Sequence, residues 1–456
     1  MDVIPYPAPV DASSYSPEAR DRQAFYGLPK EVAFCARCTY SNQKPNSEKE
    51  YRHTAGSKKP TVAFDEHEVC SACRVAEKKK AIDWTERERQ LRAVCDRYRR
   101  QDGKYDCLVP GSGGKDSFYA AHKLKYEYGM HPLTVTYAPH IYTDWGWQNL
   151  QAWIHAGFDN QLLTPDGRVH RLLTRLALER LFHPFQPFIM GQMYYPPRMA
   201  ALLRIPFVVY GENPIEYGNA QAGDKPTKDW EYFTASDPSS IHLGGTSLAD
   251  LEHHFGLSKA ELRPYMPPDR QELAAAGVDV HYLGYYLPWH PQSCYYYAVE
   301  HGGFQAAPER TAGTYSKYSS IDDKIDDLHY YTTFIKFGIG RATYDSAQEV
   351  RSGDIDRDEA VALVARFDGE YSDRFEADNF AYLSLPPKEF PAASRMFEQP
   401  LVDRSYFERL RDRFRSPHLW ELDGGEWKLR HAVYGDHALP GRSRGAVGRV
   451  SETQMK

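Results

Sequence analysis

The sequence contains no long apolar run. Nowhere does an uncharged apolar stretch approach the roughly 20 residues that a membrane-spanning helix needs, and residues 1–20 lack the basic segment and apolar core of a secretion signal. Positive charge is not in excess either, because 56 lysines and arginines stand against 62 aspartates and glutamates, a formal net charge of -6. Such a chain has no general attraction for polyanions. We therefore expect a soluble cytoplasmic protein that acts on small molecules, without nucleic acid or membrane partners.

Cysteine is scarce, and seven is an odd number that does not fit a framework of disulfide bonds. Four of the cysteines form two Cys-x-x-Cys pairs, Cys35 with Cys38 and Cys70 with Cys73. Two such pairs in a short polar segment are typical of a tetrahedral four-thiolate zinc site, and the lack of a fifth ligand nearby favours a structural Zn²⁺. The alternative is four unliganded cysteines, which would require both pairs to arise from packing alone.

The length of 456 residues and the 41% hydrophobic content allow two or three structural units. Changes in composition along the chain predict five segments. They are an N-terminal extension that lies on the surface or is partly disordered (1–30), a zinc-knuckle module (31–82), a nucleotide-binding α/β domain (83–345), a mainly helical C-terminal region (346–435) and a flexible tail (436–456).

A strand, a glycine-rich loop and a helix follow one another near the start of the α/β segment. Residues 105–110 are strand-like, the loop covers residues 111–117, and helical periodicity resumes over residues 118–128. Further strand-like runs at residues 133–137 and 205–210 alternate with helical stretches. The alternation predicts a parallel sheet covered by helices, which is the architecture of nucleotide-binding α/β proteins.

The glycine-rich loop is a candidate phosphate-binding site. Backbone N–H groups of consecutive glycines can converge on phosphate oxygens, and the positive N-terminal end of the following helix adds to the attraction. The loop is not a Walker A motif, because Asp116 rather than Ser or Thr follows Lys115. Asp116 is predicted to be catalytic by holding a magnesium ion on the phosphates. The alternative is an ordinary turn between a strand and a helix. The predicted ATP- and pyrophosphate-binding residues of the loop are Gly111, Ser112, Gly113, Gly114, Lys115, Asp116 and Ser117.

Three cations further along the chain are also candidates for the phosphates. Lys336 and Arg341 flank a glycine-rich turn and are predicted to be catalytic by folding over the phosphates; surface salt bridges are the alternative. Lys324 is predicted to bind pyrophosphate, with pairing to the acidic side chains of residues 322–327 an equal alternative.

Polar residues follow the strand-like run at residues 205–210. The carboxyl end of a parallel strand is where polar groups meet substrate, so Glu212, Asn213, Glu216 and Tyr217 are predicted to bind it. A plain surface loop is the alternative.

The run Ser-Gly-Gly-Lys-Asp-Ser at residues 112–117 resembles the SGGxDS signature of the PP-loop ATP pyrophosphatases, which include asparagine and GMP synthetases and tRNA thiolation enzymes. The resemblance implies an adenine nucleotide alpha hydrolase-like fold for residues 83–345, with ATP and Mg²⁺ as cofactors. It also implies that a substrate oxygen attacks the α phosphate, pyrophosphate leaves, and a nucleophile displaces AMP. The oxygen of an amide is a poor leaving group, and adenylylation turns it into a good one.

Further stretches resemble the N-acetyl sugar amidotransferases of the WbpG and PseA type, from lipopolysaccharide O-antigen and nonulosonic acid pathways. They are the two cysteine pairs and residues 211–218, 317–327 and 334–343. The resemblance implies that an acetamido group on a sugar becomes an acetamidino group, with ammonia drawn from a separate glutaminase.

The sequence fits an enzyme whose ammonia is supplied by a separate protein. It has no cysteine next to the initiator methionine, and Cys95, Cys107 and Cys294 do not lie in a Gly-x-Cys-x-Gly elbow. We therefore expect it to lack a glutaminase nucleophile of its own. The family precedent implies a HisH-like glutaminase subunit and a HisF-like channel subunit as partners.

Two other functions remain open from the sequence. A PP-loop enzyme that thiolates tRNA would need iron-sulfur ligands or a persulfide cysteine, together with a basic face for RNA. A noncatalytic zinc module that binds nucleotide as a regulatory partner would not depend on Asp116.

Overall fold

The computed structural model describes residues 1–20, 22–46, 49–219 and 225–435. Strands in this part of the chain are short and most precede a helix. They are β1 (Cys107–Pro110), β2 (Pro132–Tyr137), β3 (Asp159–Leu163), β4 (Phe207–Tyr210), β5 (His242–Leu243), β6 (Thr246–Ser247), β7 (Asp279–Tyr282), β8 (Trp420–Asp423) and β9 (Glu426–Leu429).

Five of these strands form one parallel sheet in the order β3-β2-β1-β4-β7. Cys107 of β1 lies opposite Pro132 of β2 on one side and Phe207 of β4 on the other. The chain therefore leaves β1 in one direction first and returns to extend the sheet in the other. In such sheets the crevice beyond the carboxyl ends of the two strands at the reversal is where ligands bind. The prediction of a parallel-sheet α/β domain is confirmed.

Both faces of the sheet are covered. Leu108 of β1 and Val208 of β4 belong to one buried hydrophobic cluster, whereas Cys107 and Val109 belong to another. Successive residues of a strand point to opposite faces, so alternate residues of β1 are buried under different helices. Each fully buried aliphatic side chain contributes about 1.5–3 kcal/mol.

Helices make up the layers on either side and most of the C-terminal region. They are α1 (Ser71–Lys79), α2 (Trp84–Tyr98), α3 (Lys115–His122), α4 (Asp144–His155), α5 (Gly167–Leu181), α6 (Gln186–Leu203), α7 (Leu248–Phe255), α8 (Lys259–Leu262), α9 (Arg270–Ala275), α10 (Leu283–Tyr286), α11 (Pro291–Gly302), α12 (Lys324–Phe337), α13 (Arg341–Ser352), α14 (Arg357–Phe367), α15 (Glu376–Leu383) and α16 (Arg404–Asp412). A π-helical turn, Lys123–Glu127, continues α3.

Local chemistry sets many helix ends. The carboxylates of Asp83, Asp166 and Asp323 accept N–H bonds from the first turns of α2, α5 and α12. Gly338, with φ of 68°, ends α12 in the left-handed conformation that glycine adopts without strain. The chain reverses there before α13 begins.

The C-terminal region is mainly helical, as predicted, with the β8–β9 hairpin at its end. Trp420 of β8 is buried, and its indole N–H donates to the Ile335 carbonyl oxygen of α12 at 2.8 Å. The hairpin therefore closes the cluster around α12 and α16. The predicted flexible tail at residues 436–456 lies outside the described residues.

The N-terminal segment, predicted to lie on the surface or to be partly disordered, packs on the C-terminal region. Tyr15 is buried, and its hydroxyl donates to the Arg415 carbonyl oxygen at 2.9 Å. Ile4 pairs with Phe397 in an isolated parallel bridge. These partners lie almost 400 residues away along the chain, so composition alone did not reveal them.

Across the described ranges, no helix combines the length and the apolar character that crossing a bilayer would require.

Candidate functional site

The glycine-rich loop is tightly folded between β1 and α3. A Cβ on Gly111 would lie 2.1 Å from that of Ser117, and a Cβ on Gly113 would lie 2.6 Å from the Asn149 carbonyl oxygen. Gly113 also has a φ of 86°. Neither position has room for a side chain. No side chain caps α3 after Gly114, so its first N–H groups remain available to an anion.

The loop opens into a cleft of about 540 Å³ at the carboxyl ends of β1 and β4. The cleft brings together residues that are far apart in sequence. Its wall includes Ser112, Gly114, Lys115, Asp116, Asn149, Glu212, Tyr217, Trp289, Tyr318, Asp322, Asp326, Tyr330, Arg341 and Asp345. A cleft of this size at the reversal of a parallel sheet is a suitable place for a nucleotide and a second substrate.

Asp116 is the centre of a hydrogen-bonded network in this cleft. Its Oδ1 accepts from the Trp289 indole N–H at 2.9 Å, and its other oxygen accepts from the Lys115 ammonium. Burial alone would raise the pKa of Asp116, but the Lys115 charge lowers it below its usual value. Asp116 is therefore an anion within the glycine loop.

Glu212 lies against Asp116 and behaves differently. Burial and the Asp116 carboxylate raise the pKa of Glu212 to about 8, and its Oε2 accepts from the Tyr217 hydroxyl at 2.7 Å. Glu212 is therefore mainly protonated at neutral pH, beside the Asp116 anion. Carboxylate oxygens are also the ligands that Mg²⁺ prefers, so Asp116 and Glu212 fit a magnesium ion.

The opposite wall is acidic and carries Arg341. The Arg341 Nε lies 3.0 and 3.2 Å from the two Asp345 carboxylate oxygens, and its guanidinium carbon is 4.4 Å from the Tyr330 ring centroid. Burial raises the pKa of Asp326 well above its usual value, although Arg341 opposes the shift. Burial raises the pKa of Asp322, and the Ser112 side chain of the loop opposes the shift. This wall thus faces the loop across the cleft.

Residues 312–434, which include this wall, match the family model described as "LPS biosynthesis protein WbpG-like, C-terminal domain". This segment is similar to the C-terminal domain of WbpG-like proteins. None of the curated proteins matches it. The glycine loop and the cysteine pairs lie outside the matched segment, so their assignment depends on the residues and geometry described above.

Two predicted cations of the WbpG-like segment do not reach the cleft. Lys336 is buried, and its ammonium donates to the Leu181 carbonyl oxygen at 2.7 Å in a different cavity. Lys324 forms an ion pair of 2.7 Å with Asp378. Neither residue lines the cleft, and Lys324 pairs with a carboxylate outside the acidic run that the sequence pointed to. Arg341 is the one of the three that lines the cleft.

Two of the four predicted substrate residues have structural partners instead. Asn213 caps the short 3₁₀ helix Pro214–Tyr217, because its Oδ1 accepts from the Ile215 N–H at 3.1 Å. Glu216 is buried and pairs with Lys79 of α1 at 2.6 Å. Glu212 and Tyr217 line the cleft.

Sequence reasoning missed several residues of the cleft. Trp289 belongs to no recognised motif, and its neighbours in the sequence do not indicate that it lines a site. From the sequence, Asp322 and Asp326 are expected only as partners of Lys324. Asp322 precedes the N-cap of α12 and Asp326 lies in its first turn, so the signal that could have identified them is the group of four aspartates at this helix start.

The four paired cysteines form a compact, buried cluster. All four sulfur atoms lie within 4.8 Å of one another, with Cys35 and Cys73 3.9 Å apart and Cys38 and Cys70 3.7 Å apart. A tetrahedral site with Zn–S bonds of about 2.3 Å places its sulfurs roughly 3.8 Å apart. The Cys70 N–H also donates to the Cys35 sulfur at 3.3 Å. The donor set therefore fits a structural zinc ion.

The cysteine cluster supports the cleft from behind. Cys70 is the N-cap of α1, the Ser71 hydroxyl donates to the Gly218 carbonyl oxygen at 3.0 Å, and Lys79 holds Glu216. Helix α1 thus fixes the turn that carries Glu212 and Tyr217.

Proposed function

We propose that the protein is an ATP-dependent amidotransferase that converts an acetamido group of a sugar into an acetamidino group in surface glycan biosynthesis. One observation carries the proposal. The segment that matches the WbpG-like family contributes Asp322, Asp326 and Arg341 to the same cleft that contains the glycine loop. The glycine loop and the matched segment therefore line one cleft, which supports a shared site.

The proposed chemistry uses the loop for the triphosphate. The backbone of residues 111–117, Lys115 and Arg341 would hold the phosphates, and Asp116 with Glu212 would hold the Mg²⁺ that screens their charge. The acetamido oxygen of the sugar would be adenylylated to an imidate with loss of pyrophosphate. Ammonia would then displace AMP. Preorganised cations favour this step because negative charge builds up on the departing pyrophosphate.

The sugar would occupy the wider part of the cleft, between the loop and the aromatic side chains of Tyr217, Tyr318 and Tyr330. Tyrosine rings combine an apolar face with a hydroxyl that can hydrogen-bond a sugar. We infer that the substrate is a nucleotide-linked or nonulosonic acid pathway sugar. The ammonia would come from a HisH-like glutaminase subunit, with a HisF-like channel subunit between the two.

The alternative of tRNA thiolation has less support. The cysteines outside the zinc cluster, Cys95, Cys107 and Cys294, are buried. Burial raises the pKa of Cys95 to about 12 and those of the other two above the usual value as well. A persulfide cysteine needs an accessible thiolate.

The experiment combines the protein with ATP, Mg²⁺, ammonium and a panel of nucleotide-linked acetamido sugars. We expect AMP, pyrophosphate and a sugar in which oxygen has been exchanged for NH, detected by mass spectrometry. Asp116→Asn should abolish all three products. Unchanged sugars throughout the panel, with thiolated tRNA when a sulfur donor is supplied, would show that the alternative is right.

A further inference from the structure

A second cavity, of about 400 Å³, lies away from the cleft and is lined by cationic side chains. Its cations come from four separate parts of the chain. They are Lys58 and Lys59 between the cysteine pairs, Arg180 at the end of α5, Lys336 at the end of α12 and Arg413 after α16. No aspartate or glutamate is found among the described residues that line the cavity. In a chain of net charge -6 this is a local reversal of sign.

Carboxylates compensate these cations only in part, because Glu50 acts on Lys59 and Lys336, and Asp250 on Arg180, from beyond ion-pair distance. None of the five side chains has an ion-pair partner in the described part of the chain. The ammonium of Lys336 donates only to a neutral carbonyl oxygen, and the buried Nε of Arg180 has no hydrogen-bond partner. Burial and the nearby Lys59 lower the pKa of Lys336 to about 7, and the Glu50 carboxylate offsets only part of this shift. Like charges that are only partly compensated are unfavourable at close range, and a bound anion would relieve the repulsion.

The cavity wall is built from ordered backbone. The segment carrying the lysines turns at residues 54–57, where the Thr54 N–H donates to the Ser57 hydroxyl at 3.0 Å. A Cβ on Gly27 would lie 2.8 Å from the Cβ of Lys58, so the N-terminal segment is pressed against this turn. Hydroxyl and backbone donors thus stand beside the cations, a combination that suits oxyanions.

The second cavity is separate from the cleft. Lys336 lies on α12 ten residues beyond Asp326, which corresponds to roughly 15 Å along the helix axis. One small anion cannot contact both places.

We propose that this cavity binds a phosphate or diphosphate group, either free or as part of a nucleotide. Lys59, Arg180 and Lys336 supply the inner charges, and Lys58 and Arg413 stand at the entrance. The site is independent of the proposed amidotransferase activity.

Hydrogen-exchange mass spectrometry tests the proposal, because it locates binding at the level of short peptides. Inorganic pyrophosphate should slow exchange in residues 53–59 of the wild-type protein. In Lys59→Gln/Arg180→Gln the concentration needed for this protection should rise about tenfold, since two charge-assisted hydrogen bonds are lost. The charge-matched control Lys104→Gln/Lys388→Gln, at exposed positions, should respond as the wild type does.

Residues 111–117 serve as an internal reference in the same experiment. Their protection by pyrophosphate should be the same in all three proteins, which separates the second cavity from the cleft. ADP, tested in parallel, should protect residues 53–59 at lower concentration than pyrophosphate if the ligand is a nucleotide, and at equal or higher concentration if it is the free anion. Unchanged exchange in residues 53–59 with both ligands, or equal protection in the double variant and the control, would overturn the proposal.

Discussion

Arg341 is the arginine that the WbpG-like segment contributes to the cleft containing the glycine loop. Its guanidinium is held by Asp345 and Tyr330 and faces the cleft, so it is positioned before any ligand arrives. Arg341→Gln should lower kcat/KM for ATP by about a hundredfold, because a preorganised cation is lost where negative charge develops. The rate of AMP release in the presence of ammonium and the acceptor sugar measures the effect.

Two variants serve as controls for Arg341. Arg395→Gln removes an exposed arginine of the same segment, and Lys324→Gln removes a cation whose partner is Asp378. Both should retain wild-type rates. A rate for Arg341→Gln within twofold of the wild type would exclude Arg341 from the site.

His418 makes the stability of the protein depend on pH. It is buried between Ser416 and Gln43, and burial lowers its pKa to about 4. Below about pH 6.5 this histidine therefore binds a proton in the unfolded chain but remains neutral in the folded chain. The stability contributed by neutral His418 is consequently lost as the pH falls from 6.5 towards 4. Between about pH 7.5 and pH 5 the free energy of unfolding of wild type relative to His418→Gln should fall by about 2 kcal/mol. Urea unfolding at the two pH values measures this, and an unchanged difference would contradict the assigned pKa.

At the scale of elements, the two neighbouring glycines Gly113 and Gly114 of the loop are expected to differ in how well they tolerate a side chain. Gly113 has a positive φ and no room beside Asn149, whereas Gly114 has a φ of -67° and its nearest neighbour would be 3.9 Å from an added Cβ. Gly113→Ala should destabilise the protein by about 1–3 kcal/mol, and Gly114→Ala by less than about 0.5 kcal/mol. Chemical unfolding of both variants checks the difference, and equal stabilities would show that the loop has another conformation.

The cysteine cluster and α1 form a unit that supports the turn behind Glu212. We expect one zinc ion per chain, and Cys70→Ser should lose it because one of four thiolates is missing. Since α1 holds Gly218 and Glu216, hydrogen exchange in Pro214–Tyr217 should become faster in the same variant.

The control for zinc loss is Cys95→Ala, which removes a buried thiol outside the cluster. This variant should keep its zinc and its slow exchange in Pro214–Tyr217. Full zinc content in Cys70→Ser, or exchange there that does not respond to a chelator, would contradict the coupling.

At the scale of the whole molecule, the central part of the fold could be predicted from local patterns. β1, β2 and β4 are buried runs of apolar and β-branched residues, and each is followed by a polar turn or a helix. β3 gave no such signal because it lies at the edge of the sheet and is largely exposed, with the polar sequence Asp-Asn-Gln. Its strand structure depends on pairing with β2.

The parts that could not be predicted depend on contacts between distant residues. Lys336 and Arg341 flank one turn in the sequence, which made a shared role plausible. Gly338 reverses the chain between them. Lys336 therefore lies in the last turn of α12 beside Leu181, whereas Arg341 is the first residue of α13 and lines the cleft. Similarly, the partner of Lys324 lies 54 residues away. The spacing of these lysines in the sequence therefore could not predict their contacts with Leu181 and Asp378.

The central claim is that ATP activates the acetamido oxygen of a sugar. It is tested most directly by supplying a nucleotide-linked sugar whose acetamido oxygen carries a heavy isotope, with ATP, Mg²⁺ and ammonium, and by locating the label in the products. The account predicts that the heavy oxygen appears in the phosphate of AMP, in an amount equal to the acetamidino sugar formed. Label that stays in the sugar while AMP is released would contradict it.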